Sequence, residues 1–392
     1  MMWKVLVISL FFTLCLGIQP SLAEPSVEID DETTIAEGID NTVESELKKA
    51  QGLKKFVLQG CSDVDLVKLC AMFPDMKSLQ VNEGENIKNL APLAGLKKLE
   101  YLGLSDCAAT DLSPVADLTG LKTININAAM RDLSWMEKLV NLTMVSVGSE
   151  NLTSLKGLPK LSQLKHIVIS GGAPDDLTPI VEALPNLVTL DLRDMTLPDL
   201  TPLTRLSLLE NLQLYCTKLK DFSPLARCSK LVKLYYYGTE GADFATLGKL
   251  TQVQELEGGM SDLVNIDWIV NLPNLKSFTT FSEAVKDFSP LAKTHLHVLH
   301  FLQMDKSGAI DLASVAKIAE LKELSLEDME VTNFESLSAC VALEKVTVKQ
   351  VKGAGDLAAL KKLPKIKKLM VDDEMPEAAL SGFGPGVEVV KD

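Results

Sequence analysis

The chain has 392 residues, 46% of them hydrophobic and 23% charged, with 53 acidic against 39 basic side chains and a formal net charge of −14. That much apolar content can build a sizeable core, which sets the chain apart from disordered, highly charged sequences. The acidic balance argues against nucleic acid and anionic membrane surfaces as partners, because both are bound through basic patches.

In chain order the first element is residues 1–23. Lys4 gives a short basic start, an apolar run extends from Val5 to Ile18, and Pro20-Ser21-Leu22-Ala23 follows. Small residues at the last and third-last positions, after an apolar stretch too short to span a bilayer, read as a signal peptide cleaved after Ala23. The product is therefore expected to be exported (secreted, periplasmic or at the cell surface), with no membrane insertion after cleavage. Residues 24–52 read as an acidic, disordered lead followed by a cap helix over residues 34–51. In that helix Ile35, Ile39, Val43 and Leu47 recur at four-residue spacing, which gives an apolar stripe able to cover an open end of the next domain.

From Leu53 onward the pattern L-x-x-L-x-L returns fifteen times, at intervals of 21 to 25 residues and most often 22. The anchors include Met76, Leu99, Leu121, Leu142, Leu164, Leu187, Leu209, Leu231, Val253, Leu275, Leu296, Leu321, Leu343 and Ile366, with apolar partners at +3 and +5 that drift only at Gly258 and Thr280. Such a period, with one short strand per repeat, is the mark of a solenoid whose units bury their apolar faces only against neighbours. Ordering a unit costs roughly 1 to 2 kcal/mol per residue, so one repeat cannot fold alone. Residues 53–392 are expected to form one cooperative body, including a degenerate C-terminal cap.

Between the anchors lie Lys88-Asn-Leu-Ala-Pro-Leu-Ala, Thr110-Asp-Leu-Ser-Pro-Val-Ala, Pro198-Asp-Leu-Thr-Pro-Leu-Thr, Lys220-Asp-Phe-Ser-Pro-Leu-Ala and Lys286-Asp-Phe-Ser-Pro-Leu-Ala. With the strand pattern, these segments make most of the chain resemble the leucine-rich repeats of the bacterial internalin type. The resemblance implies an α/β fold: a curved leucine-rich repeat solenoid of about 15 repeats, with a parallel sheet on the concave face and short turns or 3₁₀ segments on the convex face. The match departs from the family at +8, where the usual Asn ladder is replaced by Cys61, Gly84, Cys107, Ala129 and others. The immunoglobulin-like cap and surface-attachment modules of many internalins are not seen either, so a role in host-cell invasion is not carried over.

The same register sorts the cysteines. Cys61 and Cys107 fall eight residues after their anchors, and Cys228 and Cys340 three residues before the next. Equivalent positions in distant repeats lie far apart, so buried thiols are expected; Cys61 and Cys70 are the pair a bridge would use.

Side chains at +2, +4 and +6 project from the concave sheet. Four of the five tyrosines fall there: Tyr101, Tyr215, Tyr235 and Tyr237. The last three, with Phe281 and His300, are expected to form a ligand-binding patch together with Lys233, Glu255 and Glu257. Rigid aromatics give contact area with little rotamer entropy to lose. A protein or peptide is the first expected ligand and a glycan stacking on the rings the second, while strands also favour tyrosine with no ligand at all. The longest repeat adds a loop at Asp305-Lys306-Ser307-Gly308-Ala309 beside the patch.

Catalytic signatures are missing. There is no glycine-rich phosphate loop, nucleophile elbow or zinc-type cysteine pairing. Of the four histidines, His300 faces the concave side while His295 and His297 lie at the strand entry, so convergence on a metal is not expected. The chain reads as a non-enzymatic interaction protein with no cofactor and no metal, or else as an envelope-associated spacer.

Overall fold

The computed structural model describes residues 26–29, 34–49, 52, 54–174, 176–197, 199–238, 241–259, 263–282, 284–303 and 308–391. The expected signal segment, the first anchor Leu53 and the loop residues Asp305, Lys306 and Ser307 lie outside them. Strands β1 (Ser26–Ile29) and β2 (Thr34–Glu37) are antiparallel and lead to helix α1 (Asn41–Lys49). Strand β3 (Lys55–Gln59) and helix α2 (Asp63–Met72) follow. The repeats then contribute β4 (Ser78–Asn82), β5 (Tyr101–Cys107), β6 (Thr123–Ala128), β7 (Met144–Gly148), β8 (His166–Ser170) and β9 (Thr189–Thr196). They continue with β10 (Asn211–Thr217), β11 (Lys233–Tyr237), β12 (Glu255–Gly258), β13 (Ser277–Thr280) and β14 (Val298–Phe301). A short β15 (Ile310–Asp311) pairs with the far end of β16 (Glu323–Thr332), and β17 (Lys345–Lys352), β18 (Lys368–Val371) and β19 (Glu388–Lys391) complete the sheet.

From β2 onward the pairing is parallel and, β15 apart, follows chain order. The register repeats from pair to pair: Asn211 faces Lys233, Lys233 faces Glu255 and Glu255 faces Ser277. Equivalent positions of successive repeats therefore stand in rows with a spacing of about 4.8 Å. This is the expected leucine-rich repeat solenoid. Every described anchor from Met76 to Leu343 is at most 1% exposed, whereas Ile366 is half-buried as the array ends. The drift at Gly258 has a packing partner. A Cβ there would meet the Tyr236 ring at 2.7 Å, so the missing side chain makes room for that ring, which is fully buried against Phe222 at 5.4 Å and Phe244 at 6.1 Å.

The convex segments explain the recurrent Asp-x-Ser/Thr-Pro pattern. The carboxylates of Asp111, Asp199, Asp221 and Asp287 accept the backbone N–H of Ser113, Thr201, Ser223 and Ser289 at 2.9, 2.8, 2.7 and 2.7 Å. Each caps a 3₁₀ turn whose second residue is Pro, a position where no N–H donor is needed. Trp268 takes such a convex position and packs into the core, edge-on to Phe278 at 6.3 Å.

The N-terminal cap differs from the expected helix over residues 34–51. The helix spans only Asn41–Lys49, Thr34–Glu37 is the strand β2, and part of the supposed disordered lead is β1. Sheet pairing overrides the four-residue periodicity because a solenoid end exposes an unpaired strand edge; β2 covers it by pairing Thr34, Ile35 and Ala36 with Phe56, Val57 and Leu58. Gly38, at a φ of 75°, breaks the chain between strand and helix, and Asp40 caps the helix by accepting from the N–H groups of Thr42 and Val43 at 2.8 Å. Ile39, Val43 and Leu47 do bury. The cap is tied to the first repeat by Asp65, whose carboxylate accepts from Ile39 N–H at 2.7 Å, Ser62 N–H at 2.8 Å and the Ser62 hydroxyl at 2.6 Å.

All six described cysteines are buried free thiols, Cys61 and Cys70 included. Cys61 serves the backbone where an Asn would: its sulfur accepts from Gly38 N–H at 3.2 Å and donates to Gln59 O at 3.3 Å. Burial pushes the thiols of Cys61, Cys228 and Cys340 up to about 11 and that of Cys70 to about 12.

Two predictions follow from this packing. The six described thiols should resist a disulfide-exchange reagent at pH of about 8, where an ordinary thiol is partly ionised, and react together only once denaturant unfolds the chain; rapid modification of the native protein would contradict the packing. Burial raises the Asp65 carboxyl, but its three hydrogen bonds and Lys68 outweigh that and hold it below the usual 3.8. Its stabilisation is thus present above the unfolded value and lost as pH falls through the lower folded one. Asp65→Ala should cost about 1 to 3 kcal/mol in chemical denaturation, with the difference from wild type shrinking in acid.

Candidate functional site

Of the aromatic residues singled out at concave positions, Tyr215, Tyr237 and Phe281 stand in one row of the sheet, with Gly259 at the equivalent position between the last two. Tyr215 ends its pairing with β11 opposite Tyr237, and the parallel register lets the two rings stack with centroids 4.5 Å apart and planes 15° apart. Phe281 lies two strands beyond Tyr237, a backbone distance of roughly 10 Å, yet the ring centroids are 5.8 Å apart. The rings can lean together because Gly259 stands between them without a side chain; a Cβ there would meet the Phe281 amide nitrogen at 2.7 Å. Tyr215, Tyr237 and Phe281 form one ladder.

Polar groups flank the ladder and orient it. The Tyr237 hydroxyl donates to the Glu257 carboxylate. Lys233 and Glu255 pair at 2.7 Å, and the Tyr235 hydroxyl reaches Glu255 only at 3.5 Å. Burial raises the phenol of Tyr237, and the bond to a carboxylate, which needs the proton in place, raises it further. Burial is likewise the first cause for Tyr215 and Tyr235, with the charges of Asp191 and Glu255 adding to it. The Glu255 carboxylate holds the Lys233 ammonium above its ordinary range.

His300 lies on β14 opposite Thr279 and Ser325, and its ring contacts Glu323 at 3.3 Å instead of the ladder. His295 and His297 share the Glu320 carboxylate at 3.2 and 3.0 Å. Donated hydrogen bonds from His297 and then His295 hold that carboxyl low. Among the described residues no group of three or more metal-binding side chains converges.

Two residues of the site escaped the sequence reading. Arg193 occupies the outward row of Tyr215 one repeat earlier, and its guanidinium binds Asp191 through Nε at 2.8 Å and Nη2 at 2.5 Å. Asp191 is 3% exposed, and its second oxygen has no partner among the described residues. The +4 and +6 register carried one repeat back would have found both. On the convex side a cleft of about 370 Å³ is lined by Asp111, Asp132, Arg131 and Trp135. Its two carboxylates are already engaged by Ser113 and Ser134.

No known family profile matches the chain, and no curated protein matches it. Among solved structures, a TLR13–ssRNA13 complex aligns over 90% of this chain and 59% of that one, with a TM-score of 0.60 and 15% identity. A leucine-rich repeat protein of Leptospira interrogans aligns over 86% and 93%, with a TM-score of 0.53 and 17% identity. An internalin of Listeria monocytogenes aligns over 83% and 88%, with a TM-score of 0.49 and 20% identity. The likeness to the first two shows the fold alone, a leucine-rich repeat solenoid. No helix among the described residues is long and apolar enough to cross a membrane.

All five tyrosines are held above the usual phenol value of 10.0, with burial the first cause in each. The stability this contributes is complete below the unfolded value and lost as pH rises toward the folded ones. At pH of about 10.5, where a free tyrosine is more than half ionised, the native protein should show less tyrosinate absorbance than the denatured chain. The band should instead rise together with alkaline unfolding; half-complete, reversible titration near pH 10 with the fold intact would contradict the burial of these rings.

Proposed function

We propose that this chain is an exported, non-catalytic interaction protein whose concave face binds a protein or peptide partner, centred on Tyr215, Tyr237 and Phe281. The observation that carries the proposal is the continuity of the ladder, since three rings in contact on a stiff sheet offer area with little ordering cost on association. Tyr235, Lys233, Glu255 and Glu257 surround it with groups already paired in the free protein, as suits the polar rim of an interface. His300 and Glu323 extend the rim beyond the rings. Three rings with successive centroids 4.5 and 5.8 Å apart fit the centre of an interface of roughly 800 Å² per partner. The acidic charge of the chain favours a protein partner over nucleic acid, and the signal-like residues 1–23 support an encounter outside the cytoplasm.

The test begins with crosslinking in a native extract, followed by titration of the captured species against purified protein. Changing Tyr215, Tyr235 and Tyr237 together to Ala should weaken binding by about a hundredfold or more, as expected for hot-spot aromatics, with cooperative melting retained. Undiminished binding would sink the site assignment. Failure to capture any partner would favour the spacer reading.

A further inference from the structure

The concave face changes character between β8 and β9. On the five strands β4 to β8, none of the fifteen positions at +2, +4 and +6 is Asp, Glu, Lys or Arg. They are mainly amides and hydroxyls, among them Gln80, Asn82, Asn125, Asn127, Ser146 and Ser170. From β9 onward the same positions bring Asp191, Arg193, Lys233, Glu255, Glu257, Glu323 and Lys345. A face kept merely for solvation would have no reason to drop its charges on five consecutive repeats, in a chain that is 23% charged.

We propose that this neutral stretch is a second binding surface, and that it takes an uncharged oligosaccharide. Its charge and hydrogen-bonding capacity both fit such a ligand. Desolvating amides and hydroxyls costs far less than desolvating ions, so a neutral ligand can dock without stripping water from a charge. Amides and hydroxyls both donate and accept, as sugar hydroxyls do. Among the described residues the side chains of Asn125, Asn127, Ser146 and Ser170 have no hydrogen-bond partner, and they remain at least partly open to solvent. One end of the face is pre-set: the Tyr101 hydroxyl donates to Gln80 Oε1 at 2.6 Å, and Gln80 Nε2 donates to Asn82 Oδ1 at 2.9 Å. Gln80 can lie flat only because Gly103 is beside it, where a Cβ would come within 1.9 Å of Gln80 Oε1. The five strands span about 19 Å, room for a short oligosaccharide, and the half-exposed Tyr101 ring offers an apolar face to sugar C–H groups. A peptide fits less well: the sheet backbone is already paired with its neighbours, and only Met144 and Val168 add apolar area besides Tyr101.

Isothermal titration with neutral hexasaccharides of glucose, mannose and N-acetylglucosamine, and with a hexagalacturonate as the anionic control, tests the assignment on the full chain. At least one neutral probe should bind with a Kd of a few millimolar or tighter, roughly −3 to −4 kcal/mol. That affinity should stay unchanged between about 50 and 500 mM NaCl, since no ion pair is involved. Asn125→Ala with Asn127→Ala should weaken it by about tenfold or more, while the triple tyrosine variant binds as wild type. If the double variant melts early, Asn127→Ala alone, at an exposed position, should still weaken binding severalfold. The proposal is overturned if no neutral probe binds, if only the anionic probe binds, or if binding survives the asparagine changes. Loss of binding in the tyrosine variant instead would move the sugar to the aromatic ladder. Loss of protein-partner binding in the asparagine double variant would make the neutral stretch a protein surface.

Discussion

Parallel pairing in a constant register, with each apolar face shared between neighbouring repeats, is the constraint on which the rest of this molecule depends. A strand of the array is stabilised only by the strands before and after it, because its own leucines face adjacent turns and not a common centre. The register has to be kept from one repeat to the next, since a slip of one residue would turn buried leucines outward. The array tolerates local exceptions when a neighbour compensates. Gly258 replaces a core leucine, and the buried ring of Tyr236 takes up the space.

The same constraint makes the ends costly, and the two ends meet it differently. At the N-terminus an antiparallel strand and a short helix cover the edge, held to the first repeat by one carboxylate that serves three donors. At the C-terminus β19 carries Glu388 and Lys391, which pair with Lys368 and Glu377. Charges on an edge strand discourage pairing with another chain. Within the array, Cys61 and Cys107 bond backbone groups at the +8 position where an asparagine ladder would stand, while the aspartates hold the convex turns.

Rows of equivalent positions are also what give the concave face its chemistry. A row accumulates whatever side chain each repeat places in it, at strand spacing and with little freedom to move. Between β9 and β13 the +6 row brings Arg193, Tyr215, Tyr237 and Phe281 into sequence, with Gly259 as the gap that lets the last two touch. Between β4 and β8 the rows carry mainly amides and hydroxyls without a formal charge. A single sheet thus presents two surfaces of different polarity, both preorganised by the fold that carries them.

The period of the leucines was enough to identify the solenoid, separate buried from outward positions and bring Tyr215, Tyr237 and Phe281 onto one face, because side-chain direction in a strand follows from local geometry alone. It also read the cysteines as buried thiols, since register separates equivalent positions along the axis. The cap was misread: four-residue spacing from Ile35 to Leu47 suits a helix, but the open sheet edge claims residues 34–37 for a strand. That competition is decided by the neighbouring repeat. Ring stacking, the Tyr237–Glu257 hydrogen bond, the Asp191–Arg193 pair and the separation of His300 from the ladder likewise depend on how side chains two or three strands apart lean toward or away from one another. Sequence periodicity specifies which residues share a face, and tertiary packing alone decides which of them touch.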